Sequence, residues 1–87
     1  MKFTDAIVNR TPRYSLGIEE ETGKYYLSIP VANRLCDYDE YYEISPEQFT
    51  AWPENREEIE LLAQKCKLRE NNSSLIVQPG QDRGVAT

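Results

Sequence analysis

Alternation of apolar and polar residues predicts a β-hairpin in the first third of the chain. Over residues 13–21 the apolar Tyr14, Leu16 and Ile18 alternate with other residues, and the same alternation returns over residues 25–31. The intervening residues 22–23 predict a two-residue turn, because their glycine accepts the positive φ that a tight turn needs. This turn places Leu16 opposite Ile29, and the apolar side chains of both strands then share one face.

A third strand is predicted over residues 38–44, where aromatic and aliphatic side chains again share a face. Glu40 interrupts that apolar face. A fourth, short strand could form at residues 75–77. Near the start of the chain two alternatives stay open, because the apolar positions among residues 3–8 fit either one helical turn or a strand.

Two helices are predicted after the third strand. Ser45 can cap a short helix, with proline at the first helical position and Gln48 completing a capping box. Asn55 and Glu58 predict a second capping box ahead of a longer helix that ends near residue 68. One face of this helix carries four residues at the spacing of a buried stripe, namely Ile59, Leu62, Ala63 and Cys66.

These elements predict an α+β fold in which a three-stranded antiparallel β-meander packs on one main α-helix, with a short helix before it. Residues 1–78 form a single α+β domain in this prediction. Residues 79–87 contain one proline and two glycines, and they are predicted to form a mobile C-terminal tail. A chain of 87 residues buries only a small core and leaves little room for a deep cleft.

Composition narrows the classes of function. The chain carries 10 basic and 15 acidic residues, a net charge of −5, and its Lys and Arg are not clustered as in nucleic-acid-binding proteins. A basic protein is therefore the expected partner, and direct binding to nucleic acid is not expected. No apolar stretch is long enough to span a membrane and no signal-peptide pattern is visible, so we expect a cytoplasmic protein.

The residues needed for common catalytic and metal sites are missing. Without histidine there is no imidazole base, nucleophile pair or imidazole metal ligand. Cys36 and Cys66 lie 30 positions apart with no Cys-x-x-Cys unit, so we expect two reduced thiols, although a single disulfide between them is an alternative. A calcium loop beginning at Asp37 fails, because Tyr42 occupies the position that requires glycine. We expect no enzyme activity, no cofactor and no metal.

The acidic residues concentrate in one part of the chain. Residues 36–60 contain nine acidic residues and one basic residue, a net charge of −8. On the sheet face turned away from the helix, the predicted strands place acids beside tyrosines, a combination that suits a basic protein surface. The alternative, without a binding function, is that the tyrosines follow strand propensity and the acids provide solubility. The predicted partner-binding residues are Glu19, Glu21, Tyr26, Asp37, Asp39, Tyr41 and Glu43.

The functional hypothesis is a small acidic, non-catalytic protein that occupies a basic protein surface. It would act as an immunity protein or antitoxin does, or as a phage-type inhibitor of a nuclease or other nucleic-acid enzyme. Residues 36–43 resemble the surface of nuclease-colicin immunity proteins, in which a tyrosine pair lies among acids. Those proteins are all-helical, so the resemblance concerns surface chemistry and not the fold. The alternative is a homo-oligomeric structural or accessory domain, for example a homodimer.

Overall fold

The computed structural model describes residues 1–80 and 83–87. These residues form an antiparallel sheet of five strands with two α-helices on one of its faces, so the α+β class is confirmed. The sheet has two more strands than the predicted meander. No helix in the described ranges is long and apolar enough to cross a membrane. The strands are β1 (Phe3–Arg10), β2 (Arg13–Glu19), β3 (Tyr25–Ala32), β4 (Asp37–Ile44) and β5 (Val85–Ala86), and the helices are α1 (Pro46–Ala51) and α2 (Arg56–Lys67).

The first additional strand is β1, which pairs with β2 at the edge of the sheet. Of the two alternatives left open for residues 3–8, the structure therefore has the strand. The pairing shifts by one residue between Asp5 and Ile7, where Ala6 forms a β-bulge. A bulge inserts an extra residue and breaks the two-residue period. This is why the alternation in β1 does not stand out in the sequence.

The hairpin of β2 and β3 has its apolar residues on one face, but its register differs from the prediction. Leu16 pairs with Leu27 instead of Ile29, and the turn inside the Glu19–Lys24 hydrogen bond has four residues, 20–23. The amide of Glu19 donates to the carbonyl of Lys24 at 2.8 Å and closes this longer turn. The predicted two-residue turn was therefore wrong. A shift of two positions leaves every side chain on its original face, so the pattern of alternation could not reveal it.

The core lies between the sheet and α2. Ile59, Ala63 and Cys66 are buried against the apolar face of the sheet, while Leu62 is half-buried at the margin of the core. The stripe predicted for this helix therefore faces the sheet as expected. The helix packs mainly against β3, whose Leu27 belongs to the same buried cluster.

The two predicted capping boxes had different outcomes. Ser45 caps α1, accepting from the amide of Gln48 at 3.0 Å, and the Gln48 side chain accepts from the amide of Ser45 at 2.8 Å. Asn55 stands at the N-cap of α2, but its side chain makes no capping hydrogen bond. Instead the nitrogen of its side-chain amide donates to the backbone carbonyl of Gln48 at 3.0 Å. The second capping box was wrong because Asn55 ties α2 to α1.

The second additional strand, β5, pairs with Val31 and Ala32 of β3. In the observed register β2 pairs with β3 only as far as Ser28, which leaves the edge of β3 free beyond it. Residues 85–86 occupy that edge, and the amide of Thr87 donates to the carbonyl of Pro30 at 3.1 Å. Residues 85–86, which lie in the segment predicted to be a mobile tail, thus form a strand of the sheet, while residues 81 and 82 lie outside the described ranges.

A buried ion pair explains the acid on the inner face of β4. Glu40 is only 6% exposed, and Arg83 donates to its two carboxylate oxygens at 2.8 and 3.0 Å. The hydroxyl of Tyr42 donates to the same carboxylate at 2.7 Å. Burial alone would raise the pKa of Glu40, but the hydrogen bonds and charge of Arg83 outweigh it and leave the pKa lowered.

The outer edge of β4 is partly covered by the segment that follows α2. A 3₁₀ turn at Asn72–Ser74 precedes Leu75, which forms a single antiparallel bridge with Tyr42. The amide of Ile76 donates to the carbonyl of Tyr41 at 2.9 Å. Residues 75–77 therefore dock against β4 through isolated contacts, and the further short strand predicted there is not a full element of the sheet.

Candidate protein-binding face

The sheet face opposite the two helices, here called the open face, carries most of the predicted partner-binding residues. Side chains alternate between the faces of a strand, so the residues of β4 at odd positions share this face. They pair with β3 through Tyr26 opposite Glu43, Ser28 opposite Tyr41 and Pro30 opposite Asp39. Both helices bury their apolar residues on the other face of the sheet.

Three aromatic rings close one end of the open face. Phe3 of β1 stacks on Tyr41 of β4, with ring centroids 3.7 Å apart and planes inclined by 14°. Tyr26 of β3 meets both rings edge-on, at 5.4 Å from Phe3 and 5.0 Å from Tyr41. The two rings that meet come from opposite ends of the four-strand order, so the sheet curls towards its open face.

Gly17 allows Tyr26 to lie flat across the sheet. The two residues pair across β2 and β3, and a Cβ atom at Gly17 would lie 2.5 Å from the Tyr26 hydroxyl oxygen. The ring thus occupies the space of the missing side chain, an arrangement in which an aromatic residue covers a strand glycine. Its hydroxyl donates to Asp5 Oδ1 on β1 at 2.5 Å. Burial, followed by this hydrogen bond, raises the pKa of Tyr26 far above its usual value.

Two of the predicted contact residues are not accessible to a partner. Tyr26 has no exposed surface, because Phe3 and Tyr41 cover it. Tyr26 lies beneath Phe3 and Tyr41 and supports them, and it offers no surface to a partner. Its assignment as a contact residue is corrected here, since alternation predicts the face of a side chain but not what lies above it.

Glu19 is the second inaccessible residue. Its carboxylate has no exposed surface and accepts hydrogen bonds from the amides of Lys2 at 2.7 Å, Glu21 at 3.1 Å and Thr22 at 2.8 Å, and from the Thr22 hydroxyl at 2.7 Å. These bonds, led by the one from Lys2, lower the pKa of Glu19 to about 2. Glu19 therefore holds the turn after β2 together, and its assignment to partner binding is corrected.

The remaining predicted residues are accessible, and four of them form a row along β4. Asp37, Asp39 and Glu43 are exposed and Tyr41 is half-buried. Glu43 lies 3.8 Å from the ammonium group of Lys24, whereas Asp37 and Asp39 form no ion pair with any described Lys or Arg. We call these four residues the acidic row.

The electrostatics of the row differ along its length. Partial burial raises the pKa of Asp39, the nearby Asp5 carboxylate raises it further, and Arg13 opposes both effects. Because these two carboxylates repel one another, a cationic side chain of a partner would bind favourably beside them. Glu21, the last predicted residue, lies apart from the row in the turn and pairs with the terminal ammonium group at 3.3 Å.

A groove continues the open face beyond the acidic row. Its volume is about 350 Å³, and the residues that line it are Val8, Asn9, Arg10, Arg13, Tyr14, Ser15, Ser28, Pro30 and Asp39. The two arginines were not among the predicted site residues, because the net charge of a segment does not show on which face its charges lie. Their alternation with apolar residues in a hairpin was the available signal.

The described residues contain no group of three Cys, Asp or Glu side chains arranged to hold a metal ion. The two cysteines are free, Cys36 exposed and Cys66 buried. Burial is the main reason that the pKa of the Cys66 thiol is raised to about 11. Cys66 is therefore a packing residue of the core.

No family model matches this chain, and comparison with curated proteins and with solved structures gives no match either. Function is therefore inferred from the residues of the open face.

Proposed function

We propose that this protein is a non-catalytic binding protein whose open face occupies a basic surface of another protein. The observation that supports this most directly is the acidic row, in which Asp37, Asp39 and Glu43 share one face with Tyr41. Carboxylates accept charge-assisted hydrogen bonds from Arg and Lys, and tyrosine offers a stiff contact area with a polar tip.

The structure around the row favours a preformed binding surface. Tyr41 is held by its stack with Phe3, which in turn rests on the buried Tyr26. Side chains that are already ordered lose less conformational entropy when a partner binds. The exposed acids would speed association with a positively charged partner, and the aromatic residues would contribute to slow dissociation.

The proposed mechanism is occupancy. A protein that binds nucleic acid presents clustered Lys and Arg to phosphates, and a row of carboxylates can take the place of those phosphates. A nuclease or another nucleic-acid enzyme is therefore the proposed class of partner, and an inhibitor of the immunity, antitoxin or phage type the proposed role. The absence of histidine from the sequence favours this role over an enzymatic one.

One observation supports a homodimeric accessory domain as the second candidate. β1 forms an end of the strand order, and no described strand pairs with its outer edge. A second copy could extend the sheet through this edge without bringing two acidic rows together. Sedimentation of the purified protein over a range of concentrations distinguishes this candidate from a monomer that binds other proteins.

The proposed function is tested by capture on the immobilised protein followed by charge reversal. Lysate of the source organism is passed over the protein at low and high salt, and the retained proteins are identified. We expect a basic protein that salt releases, because exposed charge pairs are screened by ions. Binding of this protein is then measured for the double variant Asp37→Lys with Glu43→Lys, and we expect about tenfold or greater weakening.

A matched control carries the same change in net charge on the helical side of the molecule. Glu54 and Glu57 are exposed there, next to and within α2, so Glu54→Lys with Glu57→Lys changes charge without touching the open face. We expect this control to retain most of the affinity. Equal weakening by both double variants would mean that only net charge matters, and the assignment of the acidic row would be wrong.

A further inference from the structure

The groove beyond the acidic row differs from the rest of the open face in its charge. Arg10 and Arg13 lie on one side of it and Asp39 on the other, so the groove carries both signs. Arg13 donates to the Thr87 hydroxyl at 3.2 Å, but a surface built only to meet a basic partner does not need the second arginine, Arg10, at this position. The groove therefore has a recognition requirement of its own.

The floor of the groove holds polar groups that lack partners within the protein. Ser28 is 5% exposed and lines the groove, yet its hydroxyl forms no hydrogen bond with any described residue. Ser15 pairs with Ser28 across the strands, lines the same groove, and its hydroxyl is likewise without a partner in the described ranges. Neither hydroxyl is sealed from the groove, because Asn55 Oδ1 is the one described side-chain atom that is both fully buried and without a hydrogen bond, so both serines can bond to a ligand there.

The volume and shape of the groove favour a segment of a protein over a small molecule. A volume of about 350 Å³ is near the lower end of ligand pockets, which span roughly 300–1,000 Å³, and the groove lies open along the sheet face. Val8 and Pro30 add apolar surface beside the two serines. A polypeptide in extended conformation offers both backbone groups for the hydroxyls and side chains for the apolar surface.

The spacing of the charges defines the segment further. Neighbouring strands lie roughly 4.8 Å apart, so Arg13 on β2 and Asp39 on β4 start roughly 10 Å apart across β3. In an extended peptide, side chains two residues apart project from the same face at a separation of roughly 7 Å. The length of the arginine side chain spans the difference. A segment of the form acid-x-base thus matches the groove.

We propose that the groove binds an extended segment of the partner in which an acidic side chain meets Arg10 and Arg13 and a basic side chain two residues away meets Asp39. This inference rests on the proposed function, because it takes the occupant to be part of a protein. It adds a criterion for specificity: a basic surface that lacks an acidic residue beside its Lys and Arg would be a poor partner.

Selection from a displayed library of random peptides on the full-length immobilised protein tests this. We expect enrichment of acid-x-base and base-x-acid patterns, because the direction of the peptide is free. The variant Asp39→Lys makes the groove wholly basic and should enrich acid-x-acid peptides. Arg10→Glu with Arg13→Glu makes it wholly acidic and should enrich base-x-base peptides. The matched control Lys65→Glu, on the exposed side of α2, should select the same peptides as the parent.

A second variant tests the floor of the groove. Ser28→Ala should weaken binding of a selected peptide by about three- to tenfold, since it removes one hydrogen bond to the ligand. Its thermal unfolding midpoint should not fall, because the hydroxyl has no partner in the protein to lose. Peptides without a charge pattern, or a pattern unchanged by Asp39→Lys, would refute the proposal. So would competition by free amino acids at equal concentration, which would indicate a small zwitterionic ligand.

The two proposals fail in different ways. If Asp37→Lys with Glu43→Lys abolishes binding of a captured protein but the library yields no charge pattern, the acidic row stands and the groove proposal fails. If the library yields the expected patterns but the captured protein binds the acidic-row variant unchanged, the groove stands and the proposed function fails.

Discussion

Replacing Gly17 with alanine tests how the open face is held to the rest of the sheet. A Cβ atom at this position would lie 2.5 Å from the hydroxyl oxygen and 2.6 Å from Cζ of Tyr26, and it would also meet the carbonyl oxygen of Thr4. The backbone of Gly17 does not adopt a positive φ, so alanine is acceptable there apart from these contacts. Any loss of stability therefore reports on steric overlap.

The expected loss of folding free energy in Gly17→Ala is the sum of four contributions. Overpacking costs about 1–3 kcal/mol, and loss of the Tyr26 hydrogen bond to the Asp5 carboxylate costs about 1.5–3 kcal/mol. Displacing the ring from its edge-on contacts with Phe3 and Tyr41 adds about 0.5–1.5 kcal/mol. Alanine also makes the unfolded chain less flexible than glycine does, and this stabilises the folded state by about 0.4–1 kcal/mol. We expect a net loss of about 4 kcal/mol, a large part of the 5–15 kcal/mol typical of a folded domain.

Urea denaturation followed by far-UV circular dichroism measures this loss. Gly80→Ala is the matched control, because a Cβ atom there would meet nothing within 4 Å, and we expect it to be as stable as the parent or more stable by up to about 1 kcal/mol. In a Tyr26→Ala background the overlap with the ring disappears, so Gly17→Ala should then cost only about 1–3 kcal/mol. A cost below about 1 kcal/mol in the parent, or equal costs in both backgrounds, would show that the ring does not rest on Gly17.

Three further predictions concern the buried charges and thiols. Arg83→Ala should lower the free energy of unfolding by about 3 kcal/mol because it leaves Glu40 buried without its cation; a double-mutant cycle with Glu40→Gln that gives no coupling would contradict this. Because the pKa of Glu19 is lowered to about 2 in the folded protein, its contribution is complete above the unfolded value of roughly 4.3 and is lost as the pH falls towards 2. Urea titrations at several pH values should show this loss, and Glu19→Gln should flatten it. A thiol reagent at pH 8 should modify the exposed Cys36 quickly and Cys66 only after denaturation, and equal rates in the native protein would show that Cys66 is not buried.

Side-chain periodicity predicted which face of each strand and of α2 is buried. It did not predict which positions of neighbouring strands pair or which distant segments come into contact. The register of β2 on β3 depended on Glu19, whose hydrogen bonds to Lys2 and Thr22 stabilise a four-residue turn. An acid that ends an alternating strand is indistinguishable by pattern from a solvent-exposed residue. Its burial followed from contacts with a segment 17 residues earlier, which local patterns do not contain.

The two strands that were not predicted were missed for different reasons. β1 contains a bulge at Ala6, and this breaks the period on which strand prediction depends. β5 is only two residues long and lies among residues typical of loops. A signal for its docking was nevertheless present in Glu40, because an acid on an apolar strand face requires a cation from elsewhere in the chain.

The candidate site was predictable only in part. The row of Asp37, Asp39, Tyr41 and Glu43 follows from alternation within one strand, and the structure places these residues together. The burial of Tyr26 depends on Phe3, which lies in a strand that the pattern left undecided. The groove needs residues from three strands, so it appears only when their order and register are known.

The docking of β5 also bears on how long the folded state persists. The contacts of residues 83–87 join the end of the chain to β3 and β4, 43 or more positions earlier, and we expect contacts of such long sequence separation to form late in folding. Contacts that form after the rate-limiting barrier affect the rate of unfolding and hardly change the rate of folding. The tail and its Arg83–Glu40 ion pair would thus determine the lifetime of the native state, while the central hairpin determines how quickly that state is reached.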